Sequence, residues 1–153
     1  MTRALRRNGP LSMATRAVGA VSAWSALLDG LPLAAWVVAL DDHRVVAANV
    51  AAADLLGRTR DELLDSPASE LLTTPEDIGW WDELAAEPEA PPAALRSESV
   101  VCGPDGRLRH VERCITPLAS DDAPTPHHVL VTLRDRSAEQ RADDEHDTAL
   151  AEL

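Results

Sequence analysis

The chain has no phenylalanine, no tyrosine and no lysine, and only two cysteines and seven glycines in 153 residues. Each scarcity excludes something. Four Trp are the only aromatic residues, so Ala, Val and Leu must do most of the core packing. Cys102 and Cys114 form neither a disulfide framework nor a zinc pattern, and a reducing cytoplasm is the expected setting. The glycines are scattered singly, which leaves no Gly-rich phosphate loop. Against 26 acidic residues stand 14 basic ones, all Arg, and the net charge of −12 lacks the basic footprint of a nucleic-acid binder. We read the Arg-only usage as genomic base bias. No run approaches the ~18 apolar residues of a membrane span, and no secretory signal core follows the start. The expected protein is soluble and cytoplasmic, touching neither membrane nor nucleic acid.

What is present is organised. Residues 1–11 read as a disordered leader, and Ser12 to Asp29 as a helix ended by Gly30 and Pro32. Ala17, Val21, Trp24 and Leu28 recur at helical spacing and make one apolar stripe. Ala34 to Leu40 is a short, β-rich apolar run, hence a strand. Asp41 to His43 supply a turn, and Arg44 to Ala48 return as a second strand. Asn49 then caps a short helix that Gly57 ends in the left-handed position.

Arg60 to Leu64 and Ala68 to Leu72 are helical turns, the first with Thr59 as its cap. Thr74-Pro75-Glu76-Asp77 is a helix start: a cap, Pro at the first position, then acids at the positive end of the dipole. That helix runs to about Ala86, with Ile78, Trp81, Leu84 and Ala85 on one face. Glu87 to Ala93 is a Pro-rich loop. Strands follow at Leu95 to Cys102, Leu108 to Leu118 and Val129 to Leu133. A Gly103-to-Gly106 turn separates the first two of these, and a polar loop from Ser120 to Pro126 separates the last two. A helix from Ala138 to Leu153 closes the chain.

The pattern is α+β: five strands, the last three hairpin-connected and hence antiparallel, with helices packed on one sheet face. Several strands look apolar on both faces, and the Ala17–Leu28 stripe is the candidate to cover the second.

In series, Asn49 with Ala52 and Leu55-Leu56-Gly57, the Thr74-Pro75-Glu76-Asp77 start, Asp105-Gly106-Arg107, Thr116-Pro117-Leu118 and Asp135-Arg136-Ser137 resemble the landmarks of a PAS domain. The match covers about Leu27 to Ala138. It places the domain at 31–136, between the 12–30 helix and a 137–153 connector. Arg136 departs from the pattern, which carries an apolar residue there.

The resemblance implies a five-stranded antiparallel sheet and a small cavity between sheet and helices. It also implies a role in sensing or protein–protein interaction, dimerisation through the N-terminal helix and output through the C-terminal one. On that reading Trp81, Ile78, Val111, Ile115 and Val131 line the cavity, and Asn49, Gly57 and Gly106 are structural. A homodimer would form through Ala17, Val21, Trp24 and Leu28. The output domain would be a histidine kinase or a diguanylate cyclase, as in a bacterial two-component system. The alternative is a ligand-free adaptor that works by dimerisation.

Relatives that bind haem carry an axial His on or just after the long helix, and Ile78 to Ala86 has none. Flavin photoreceptor relatives carry a reactive Cys before that helix, and Leu63 to Leu72 has none. Haem and flavin are disfavoured, and the cofactor, if any, is open. Cys102, His110 and Cys114 cannot gather around one zinc ion, and adjacent His127 and His128 point to opposite faces. His110 and Glu112 share a strand face but make a weak start for catalysis, and no nucleophile–base constellation occurs, so no enzyme is expected.

Overall fold

The computed structural model describes residues 23–71, 74–87, 93–120 and 123–153. The leader at 1–11 and the stripe residues Ala17 and Val21 lie outside them. The chain is helical at 23–29 (α1). It continues as β1 (Ala34–Ala39), β2 (Val45–Ala48), α2 (Val50–Leu56), α3 (Arg60–Leu63), a 3₁₀ turn (Ala68–Glu70), α4 (Pro75–Ala86), β3 (Leu95–Cys102), β4 (Leu108–Ser120), β5 (Ala123–Asp135) and α5 (Ser137–Ala151).

The strands form one antiparallel sheet in the order β2-β1-β5-β4-β3. The expected α+β architecture is therefore the observed one. β1 is flanked on both sides and buried along its whole length, which explains its unbroken apolar sequence. On the inner face Trp36, Val111, Ile115, Val129 and Val131 pack with Ala52, Leu63, Leu71 and Trp80 from the helical side. On the opposite face Ala35, Val37 and Ala47 pack with Leu28, and Trp24 and Leu130 lie against them. The described end of the N-terminal stripe thus covers the second face.

Two local readings change. The Ser120-to-Pro126 loop is largely strand: β4 runs to Ser120 and β5 begins at Ala123, with a register irregularity between Leu118 and Ser120. β1 ends opposite His128, so this part of β5 is a one-sided ribbon, where Pro is tolerated. The rotation of α4 also differs. Its buried residues are Asp77 and Trp80, whereas Ile78, expected to face inward, is 52% exposed and Trp81 is half-buried. Asp77 sets this rotation, because its carboxylate pairs with a buried cation from the sheet.

Candidate functional site

The β2–α2 corner is built around one side chain. Asn49, 1% exposed, caps α2 by accepting from Ala52 N, and the same Oδ1 accepts from Ala35 N. Its Nδ2 donates to the carbonyls of Leu28 and Leu33. These four bonds tie α1, β1 and α2 together and occupy both ends of the amide. Gly57 ends α2 at φ 65°, and a Cβ there would meet the Pro104 ring at 3.1 Å. Gly106 turns the β3–β4 hairpin at φ 77°.

The interior holds a feature that sequence reading missed. Arg113, on the inner face of β4, and Asp77, in the first turn of α4, are 2% and 0% exposed. Arg113 Nε lies 2.8 Å from Asp77 Oδ2. Arg113 Nη1 also donates to the Leu71 carbonyl, and its guanidinium carbon sits 5.4 Å from the centre of the Trp36 ring. Burial pulls the Arg113 pKa down from its ordinary value, and the Asp77 charge and hydrogen bond oppose that pull. Asp77 has a second task. It accepts from Thr74 N while Thr74 Oγ1 accepts from Asp77 N, a capping box at the start of α4. One carboxylate therefore joins the helix start to the sheet. The signal available beforehand was an Arg alternating with Val111 and Ile115, a charge on an otherwise apolar strand face.

The expected lining residues separate into two groups. Val111, Ile115 and Val131 belong to the core around this ion pair. Ile78 and Trp81 line an outer groove of about 240 Å³, with Asp42, His43 and Asp82, and Trp81 also packs against that core. The His43 and Trp81 ring centres are 4.8 Å apart there.

The exit from the sheet is densely bonded. Arg109 lies 3.6 Å from Asp135, and Ser137 N donates to Asp135 Oδ1. Hydrogen bonds from Ser137, its side chain foremost, and the Arg109 charge hold the Asp135 carboxyl below its ordinary pKa. Ser137 Oγ accepts from His110 N. Arg136, where the apolar residue was expected, reaches Glu98 on β3 at 2.7 Å and Glu139 on α5 at 2.8 Å. Beyond that knot, none of the 15 residues of α5 is buried. Cys102 and Cys114 are free thiols. Among the described residues no cluster of His, Cys, Asp or Glu could hold a metal ion, and no helix is long and apolar enough to cross a membrane.

A PAS domain family model matches residues 32–138. Among solved structures, the chain is similar to the PAS domain of an HTR-like protein from Haloarcula marismortui, with 20% identity, TM-score 0.53, and 81% of this chain and 98% of that chain covered. The PAS domain of Bordetella pertussis BvgS shows 18% identity and TM-score 0.58, covering 85% and 97% of the two chains. A PAS domain from a two-component sensor histidine kinase shows 16% identity and TM-score 0.51, covering 77% and 97%. No curated protein matches the sequence. With the sheet order, the capped α2 and the matched span in hand, the chain belongs to the PAS domain family, a sensory and interaction module.

Proposed function

We infer that this PAS module receives a small molecule or a partner within its cytoplasmic, non-enzymatic domain and passes the event outward through α5. The observation that carries the reading is α5 itself. It is fifteen residues long, polar nearly all round and nowhere buried, while its first turn is fastened to β3 and β4 through Arg136 and Ser137. A helix of that kind suits a bridge between domains. A histidine kinase is the favoured output, with a diguanylate cyclase as the other class. The similarity to a PAS domain of a sensor histidine kinase supports the first.

The test fuses the chain at Leu153 to a histidine-kinase catalytic core and measures autophosphorylation. Arg136→Ala, and a two-residue insertion after Ala138 that rotates the helix, should each change the rate about five-fold or more. Equal rates in all three fusions would remove the relay.

A second reading, an adaptor working by dimerisation, is favoured by one observation. Leu28 and Trp24 face the sheet, but Leu27 on the same helix is 71% exposed. The N-terminal helix would then pair two copies through Leu27, because Trp24 and Leu28 of the expected Ala17, Val21, Trp24 and Leu28 stripe are turned to the sheet. Native mass spectrometry of protein purified from its host distinguishes the two, since a sensor retains a small molecule and an adaptor does not.

A further inference from the structure

The rotation of α4 that buries Asp77 and Trp80 turns another face outward. Ile78, Trp81 and Asp82, at positions i, i+3 and i+4, share that face. With Asp42 and His43 of the β1–β2 turn and Ala68 of the 3₁₀ turn, they line the outer groove of about 240 Å³. His43 holds the left-handed region at φ 57°, uncommon for a residue other than Gly, and its carbonyl accepts from Ala68 N. This anchored turn sets the imidazole against the Trp81 ring. Trp80 meets the same ring edge-on, with centres 4.7 Å apart, so the indole is held from both sides.

The lining defines a guest. An indole face attracts a cation, an ionised carboxylate only accepts hydrogen bonds, and Ile78, 52% exposed, offers apolar wall. Asp42 is fixed in place, its Oδ1 accepting from Arg44 N. The Asp82 carboxylate makes no hydrogen bond or ion pair among the described residues. Arg44 is the one Arg on this lining, and its guanidinium is committed elsewhere: Nη1 donates to the Asp65 carbonyl and lies 3.8 Å from Asp65 Oδ2. The charge left facing the groove is therefore that of Asp42 and Asp82, which repels an anion. Size narrows the class further. A protein interface needs about 1,200 Å² or more, whereas Ile78 is the one large exposed apolar side chain of α4. We propose that this groove binds a small organic cation, a guanidinium or primary ammonium on a short aliphatic stem. The head lies against Trp81 and donates to Asp42 and Asp82, while the stem packs on Ile78. The site goes beyond the sensory reading above, because it lies outside the interior and requires no relay through α5.

The test uses the full chain, ¹⁵N-labelled, at pH 7.5 and constant ionic strength. The probe is propylguanidinium, and the control is propylurea, of the same shape but neutral. Propylguanidinium should shift the Trp81 indole resonance and the amides of Asp42, His43 and Asp82 saturably, and propylurea should leave them in place. Asp82→Asn should weaken the cation about tenfold, the worth of one charged hydrogen bond. His43→Asn, which removes the imidazole wall but tolerates the left-handed turn, should weaken it about threefold or more. Asp147→Asn removes the same charge from exposed α5 and should change nothing. Four results would each overturn the site: no saturable shift at the groove resonances, equal affinity for propylurea, unchanged binding in Asp82→Asn, or equal weakening in Asp147→Asn, which marks diffuse attraction to an acidic surface. The readout is binding alone, so a failure here and a failure of the kinase-fusion response are separate results.

Discussion

At the scale of single residues, the side chains that matter most are the ones with two tasks. Asn49 links three elements through four hydrogen bonds. Asp77 neutralises Arg113 and caps α4. Truncating Asp77 leaves a cation stranded in the core, a class of change that costs about 3–5 kcal/mol. Asp77→Ala should lower the urea midpoint accordingly, whereas Asp77→Leu with Arg113→Met should recover most of the loss, because an apolar pair of similar volume carries no desolvation cost. A double variant as unstable as the single one would show that the cap, and not the ion pair, dominates. The sequence made Asn49 legible because N-capping is local, one residue and the turn after it. It made Asp77 legible only as a helix-start acid. Its burial depends on Arg113, a residue on a strand far along the chain, and no local pattern announces such a pair.

Secondary-structure elements were legible in kind and less so in phase. α4 was readable from Thr74-Pro75-Glu76-Asp77, yet its rotation was not, since Trp80 and Trp81 are adjacent and either could have pointed inward. The buried carboxylate chose Trp80, whose Nε1 also donates to the Ala93 carbonyl. The extension of β4 and β5 through Ser120 and Ala123 was hidden by the polar, proline-containing composition of that segment, which in this fold marks a ribbon end. Glycine offers a test at this scale. Gly79 lies mid-helix with open space around its Cβ direction, so Gly79→Ala should stabilise α4 by about 0.5–1 kcal/mol. Gly57→Ala should destabilise by about 1–2 kcal/mol, because φ is +65° and Pro104 stands in the way. Thermal unfolding of the two variants should move in opposite directions, and a common direction would refute the assignment of Gly57 as a helix stop.

On the scale of the whole molecule, the sheet is covered on both sides, and the second cover is thin. Helix α1 meets the sheet through Leu28 and through Trp24, whose ring lies 4.4 Å from that of His128, edge to face. Burial lowers the His128 pKa first of all. His127 lowers it further, while the nearby Asp41 and Asp42 charges push the other way. A histidine whose folded pKa is depressed binds fewer protons in the native state than in the unfolded one. Stability therefore falls as pH drops below the unfolded value of about 6.5, until the folded group protonates as well. Denaturation midpoints measured from pH 7.5 to 5 should show this fall, and His128→Leu should flatten the part of it that comes from this site. An unchanged slope in the variant would place the acid sensitivity elsewhere. The overall architecture was legible because the motif series fixes strand pairing at a distance, which composition and periodicity do not.

The sheet order has a consequence for synthesis. Strand β1, flanked on both sides in the finished sheet, is made early and receives its second neighbour last: Trp36 sits opposite Val131, so β1 leaves the ribosome long before β5 exists. Throughout that interval a wholly apolar six-residue ribbon has one edge unzipped. Such long-range closure slows folding and exposes the growing polypeptide to sticking. The last hairpin is thus the element whose arrival converts a vulnerable nascent chain into a finished domain.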